Sequence, residues 1–261
     1  MIPKAAITAW GVTRPWPNPQ AIEQDLLLAR TIVEIYNHPL LSDELVFRGG
    51  TCLHQVVLPT PLRYSEDLDF VRRTHTGIGP VFDALREVAD SVGLKVHSTE
   101  AKTHQPTMRL TVPSEDDPNL PLRIKVEINT HETSPADPVV NRQFSVASNW
   151  FEGTASVRTF TEAELMSTKI RALYQRKKGR DLFDMWLGIT QLGLTGDQLL
   201  AVFGPYRPEG LTADLAIANL QAKLADDTFR SDLTPLVGEL PEGYDIDNAG
   251  ELIIHEVLAK L

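Results

Sequence analysis

A chain of 261 residues with 42% hydrophobic and 23% charged side chains has the make-up of a globular protein of one large domain or two modest ones, and wholesale disorder is excluded. No apolar run reaches the roughly 18–20 residues of a membrane span, and the first sixteen residues show no basic-then-apolar leader pattern. With Cys52 as the single cysteine, this points to a reducing, cytoplasmic setting with no membrane partner. The net charge of −10 is uneven: residues 197–261 hold 12 acidic and 4 basic side chains, residues 1–195 hold 23 and 21. The overall field disfavours a polyanionic partner, which would need a local basic patch.

Apolar residues at helical spacing predict a helix over residues 19–37, stopped by Asn37-His-Pro. A short strand at 45–47 runs into Gly49-Gly50, followed by a helical stretch at 51–57 that Pro59 and Pro61 break. A strand at 67–71 reads Asp-Leu-Asp-Phe-Val, and Val81, Leu85, Val88 and Val92 mark a helix over 79–92. Strict alternation predicts strands at 107–112 and 123–129, joined by the polar turn 114–119. After Pro135 and Pro138 the pattern is irregular until a strand at 156–160. From Thr161 onward the chain reads as helices, with breaks near 205–208 and 235–241. The expected fold class is α+β: a mixed sheet flanked by helices, then a helical C-terminal domain, with domains 1–155 and 156–261.

Asp67 and Asp69 lie two apart on a strand and so point to one face, where they repel unless protonated or sharing a divalent cation. Magnesium takes one or two carboxylates together with substrate phosphates; a solvated strand edge is the plainer alternative. Arg123, Lys125, Glu127 and Asn129 form the polar side of their strand. If that side is shared with the aspartates, Glu127 is a third carboxylate, and three acids can hold two metal ions. Gly49-Gly50-Thr51, at a strand end opening a helix, suits a close approach of backbone to phosphate, or simply a tight turn.

Thr161-Glu-Ala-Glu164 has the form of a capping box. The helix it opens places Lys169 on the stripe of Leu165, Met166, Ile170 and Leu173, facing inward. Such a lysine snorkels, loses its charge or meets an anion, which here is either a triphosphate or Asp184, itself set in the apolar run 182–187. Arg171, Arg176, Lys177, Lys178 and Arg180 follow without an intervening acid. They form either a solvated face or a contact for the phosphates of a nucleotide or RNA.

With these residues assembled, the chain resembles the AbiEii-type nucleotidyltransferase toxins, a branch of the DNA polymerase β-like nucleotidyltransferase superfamily. The matching stretches are Phe47-Arg-Gly-Gly-Thr-Cys-Leu53, Arg63-Tyr-Ser-Glu-Asp-Leu-Asp-Phe70, and Lys169 with Arg180-Asp-Leu-Phe-Asp184. The resemblance implies an enzyme that uses magnesium to move a nucleoside monophosphate from a nucleoside triphosphate to an acceptor hydroxyl, with a tRNA 3′ end or other RNA favoured and a cognate antitoxin as partner. It implies metal binding by Asp67 and Asp69, with Glu127 resting on strand alternation. Gly49, Gly50, Thr51, Ser65 and Lys169 would hold the nucleotide, Lys169 and Asp184 would be the downstream catalytic pair, and Arg176, Lys177, Lys178 and Arg180 would meet RNA. Threonine replaces the serine that often follows the two glycines. The alternatives are a nucleotide- or RNA-binding module without transfer, and a transferase that labels a protein or small molecule.

Overall fold

In the computed structural model, which describes residues 2–261, seven strands pair into one mixed sheet. They are β1 (Leu45–Arg48), β2 (Asp67–Arg72), β3 (Lys95–Glu100), β4 (Thr107–Val112), β5 (Leu122–Asn129), β6 (Val140–Ala147) and β7 (Glu152–Thr159), in spatial order β3-β4-β5-β2-β1-β7-β6. β2 runs parallel to β5 and β1 parallel to β7; the other pairs are antiparallel. Alternation sends Leu68, Phe70, Met108, Leu110, Ile124, Val126 and Ile128 into the core. It leaves the opposite side of β2, β4 and β5 polar.

Helices α1 (Lys4–Gly11), α2 (Pro19–Asn37), α3 (Pro39–Glu44), α4 (Gly49–Cys52) and α5 (Gly79–Val92) complete this unit, with a π-helical turn at Leu53–Val57. α2 packs on β5, β6 and β7, and α5 packs on β3 and on α2. Asn18 caps α2 by accepting the Ala21 amide, and Pro19 supplies a pre-set first helical position. The unit comprises Met1–Ser134 and Val139–Thr159, so the division of the chain falls at the end of β7.

The second unit is Pro135–Pro138 with Phe160–Leu261. It contains α6 (Glu162–Gln175), α7 (Gly179–Thr190), α8 (Gly196–Ala201), α9 (Ala213–Leu224), α10 (Asp227–Ser231) and α11 (Ile246–Glu256). Leu165, Met166, Ile170, Phe183, Met185, Phe229 and Ile253 are among its fully buried apolar residues. Thr161 caps α6 as expected, accepting from the Glu164 amide. The Glu164 carboxylate does not return to the cap. It accepts the amides of Ala136 and Asp137 and the Tyr206 hydroxyl, tying residues 135–138 into this unit. No helix among the described residues is long and apolar enough to cross a membrane.

The first turns of α2 carry buried polar groups that lock the first unit. Glu23 accepts from Ser114 Oγ at 2.7 Å and from the Glu115 amide, and Gln24 donates to the Arg123 carbonyl. Asp25 accepts from Trp10 Nε1 at 2.8 Å and Gln55 Nε2 at 2.6 Å, and Arg14 lies 3.7 Å away. Burial pushes the Asp25 carboxyl up to about 6, against the pull of these donors and of Arg14. A carboxyl that binds its proton more tightly folded than unfolded loses stability as pH rises between the two pKa values, here from about 4 through about 6. At roughly 1.4 kcal/mol per pKa unit the decline is on the order of 3 kcal/mol. Asp25→Asn removes this slope because the amide does not titrate, and Gln55 can turn its otherwise unbonded buried Oε1 toward the new amide. Urea midpoints of wild type and variant from pH 4 to 7 check it.

Candidate active site

Asp67 and Asp69 share the polar side of β2, and strand register decides what stands beside them. Asp67 is opposite Lys125 and Asp69 opposite Glu127 on β5; on the other flank Arg48 of β1 is opposite Asp69. Directly paired residues project to the same side of a sheet, so Glu127 does share a face with both aspartates. Its carboxylate is already engaged, by Lys125 Nζ at 2.7 Å and Gln105 Nε2 at 3.2 Å. Partial burial works against the Lys125 charge. The hydrogen bond to Glu127 and the fields of Asp67 and Asp69 outweigh it and raise the ammonium above its ordinary range.

The glycine turn closes against these acids. β1 passes into α4 through Gly49, whose φ of +83° is left-handed backbone. A Cβ at Gly49 would run into the Asp69 carboxylate, and one at Gly50 into the Arg63 guanidinium, with Ser65 Oγ 3.1 Å away. Thr51 is buried; its hydroxyl donates to the Asp67 carbonyl and lies 2.9 Å from Ser65 Oγ. Threonine therefore ties the turn to the start of β2, and the hydroxyl bonded to it belongs to half-buried Ser65. Arg63, which sequence reasoning treated only as part of a motif, is buried and donates to the Tyr64 carbonyl while flanking Gly50. Gly49→Ala is expected to cost about 1–2 kcal/mol of stability for the left-handed backbone. By displacing Asp69 it is also expected to lower catalysis at least ~10-fold, about 1.4 kcal/mol in the barrier. Urea melts and initial rates on the same preparation measure the two effects.

The donor set, two carboxylates on one strand face, is of the kind that holds a divalent metal ion together with substrate phosphates. Among the described residues no group of three or more His, Cys, Asp or Glu is arranged to hold a metal ion. Beside the two aspartates, the Glu127 carboxylate is held by Lys125 and Gln105.

In the second unit, α6 and α7 bring Lys169 to two carboxylates. Lys169 Nζ lies 2.7 Å from Asp184 Oδ2 and 3.4 Å from Asp181 Oδ1, and all three side chains are buried. Asp181 is further held by Arg176, with Nε at 2.6 Å and Nη2 at 2.7 Å. Burial opposes the Asp181 charge, yet Lys169 and Arg176 keep its carboxyl below the ordinary carboxylate range. Of the outcomes open to Lys169, snorkelling, loss of charge or an anionic partner, the structure shows the last, with Asp184 and Asp181 as the anions. Asp181 was missed, although it precedes Asp184 by three residues and so shares its helix face.

The basic run is also matched by acids. Arg176 is on Asp181, Lys177 on Asp226, and Lys178 on Asp232 at 3.1 Å, with Arg180 Nε 3.9 Å from Asp232. Asp226 and Asp232 come from the acidic C-terminal quarter of the chain and Asp181 from within the run itself, so the run carries far less net field than its sequence suggests.

Among solved structures, MenT4, a nucleotidyltransferase toxin from Mycobacterium tuberculosis H37Rv, shares the fold. Its TM-score is 0.51 and its identity 18%, over 97% of this chain and 99% of that one. No curated protein matches. A family model described as the nucleotidyl transferase AbiEii toxin of a type IV toxin–antitoxin system matches residues 30–251. The class that the fold and the family match define is that of a nucleotidyltransferase. The chain belongs to this family and is a nucleotidyltransferase toxin of a type IV toxin–antitoxin system, which brings with it a nucleotide substrate and a cognate antitoxin.

Proposed function

We propose that the chain transfers a nucleoside monophosphate from a nucleoside triphosphate to an acceptor hydroxyl, the 3′ end of a tRNA foremost, with magnesium as the metal and the cytoplasm as the place of action. The observation that carries this reading is the pair Asp67 and Asp69 on one side of β2, with Asp69 packed against the left-handed Gly49 turn. Magnesium bound by the two aspartates would supply charge neutralisation at the triphosphate.

The chain's own groups divide the remaining work. Gly49 and Gly50 let backbone approach the phosphates without side-chain obstruction. Thr51 fixes the turn, and Ser65 offers it a hydroxyl. We assign Lys169 to the phosphates and Asp184 to orienting its ammonium, as the family resemblance implies. Glu127 is assigned the proton of the attacking hydroxyl, or a second metal, once Lys125 yields it. Arg176, Lys177, Lys178 and Arg180 would meet RNA only by exchanging carboxylate for phosphate, so RNA contact there would be weak and salt-sensitive. Catalysis in this reading is mostly positioning and charge neutralisation.

The test is incubation of purified protein with each of the four α-labelled triphosphates, total RNA and either magnesium or EDTA. Label in RNA that depends on magnesium is the expected result. Label on protein instead selects a protein-modifying transferase, and binding without covalent label rejects transfer.

A further inference from the structure

The first unit holds a cavity of about 670 Å³ on the polar side of the sheet, beginning at Asp67 and running over β5, β4 and β3. Its cations follow from strand register. One cross-strand row reads Arg109, Lys125, Asp67; the next reads Lys95, Thr111, Arg123. Arg109 is paired with Glu100 and Lys125 with Glu127. Lys95 and Arg123 are exposed and have no ion pair among the described residues. Pro113 and Pro121, at the strand ends, add apolar surface. A recess combining unpaired cations with proline and aliphatic surface suits a chain of phosphates joined by less polar groups.

We infer that this groove seats the single-stranded 3′ end of the acceptor polynucleotide, with Lys95 and Arg123 meeting its phosphates. The inference rests on the transferase reading and deepens it by giving the acceptor a place. Three observations favour the acceptor over the triphosphate. The glycine turn lies on the β1 flank of the aspartates and the cavity on the β5 flank. In-line displacement needs the attacking and leaving oxygens on opposite sides of the α-phosphate. Finally, the other basic run is already matched by Asp181, Asp226 and Asp232, whereas Lys95 and Arg123 are not. A recess of this size takes an unpaired end, not a duplex.

The test is fluorescence anisotropy with a labelled single-stranded oligoribonucleotide in EDTA without triphosphate, comparing wild type, Asp69→Asn and Lys95→Ala/Arg123→Ala. The two cations are exposed, so the double variant should melt like wild type. Its RNA affinity is expected to fall at least ~10-fold and the slope of log affinity against log salt to drop by ~1.4, at ~0.7 per phosphate contact on a single strand. Asp69→Asn should bind RNA like wild type, and the affinity of the Lys95→Ala/Arg123→Ala protein for a fluorescent triphosphate analogue should be unchanged. RNA affinity untouched by the double substitution overturns the inference, as does no RNA binding by wild type, or a loss confined to the triphosphate. Because this readout needs no chemistry, a groove that binds RNA through Lys95 and Arg123 stands even if no triphosphate is ever transferred.

Discussion

Asp69→Asn is expected to lower nucleotide transfer by about three orders of magnitude while leaving the fold and its melting temperature in place. The carboxylate lies on an open polar face beside Glu127 and against the Gly49 turn, and its neighbours are positioned by backbone pairing on both flanks. Asparagine keeps the shape that fills the space above Gly49, so the turn has no reason to move. What goes is the negative charge that would share a divalent cation with Asp67. Lewis-acid stabilisation is worth several kcal/mol of the barrier, and about 4 kcal/mol is roughly a thousandfold in rate. Like-charge repulsion between Asp67 and Asp69 also disappears, which offsets the charge lost from the contacts Asp69 makes, so the variant should melt close to wild type. Initial rates with α-labelled triphosphate, together with thermal melts, check both halves. Transfer within tenfold of wild type would falsify the metal assignment.

The elements legible in the sequence are those with one wet and one dry side. The strands at 67–71, 107–112 and 123–129 and the helices at 19–37 and 79–92 bury regular apolar sets, and each lies where the periodicity places it. β3 and β6 carry no such signal because they are the outer strands of the sheet. Lys95–Glu100 has no fully buried residue, and in β6 only Phe144 and Val146 are buried. The absence of β6 from the reading also explains why residues 139–155 look irregular. The strand expected at 156–160 begins at Glu152, where the residues leading into it pair with that same unseen neighbour.

The site divides along the same line. The spacing of Asp67 and Asp69 is local and could be read directly. Whether Glu127 joins them depends on the parallel register of β2 with β5, which tertiary packing sets. The capture of Glu127 by Lys125 was open to inference, since the two are two apart on one strand face. The pairing of Lys178 with Asp232 spans 54 residues, and no local pattern announces it. A run of cations is legible as charge; its neutralisation is legible only in the fold.

Lys169→Ala is expected to destabilise the protein by about 3–5 kcal/mol, the usual cost of removing one partner from a buried ion pair. Asp181 keeps its two bonds from Arg176 in the variant, but Asp184 loses an ammonium at 2.7 Å in a site where its own side chain is fully buried. Loss of transfer in Lys169→Ala would therefore not separate a damaged unit from a missing phosphate ligand. Lys169→Met with Asp184→Asn does separate them. It removes the Lys169–Asp184 charge pair with side chains of similar volume and leaves Asp181 to Arg176, and such neutral replacements are often tolerated without loss of stability. The double variant should recover most of the urea midpoint lost in Lys169→Ala and still fail to transfer nucleotide, because the cation assigned to the triphosphate is gone. If it regains both stability and transfer, the Lys169–Asp184 pair is a structural bridge and the phosphate role falls to another cation.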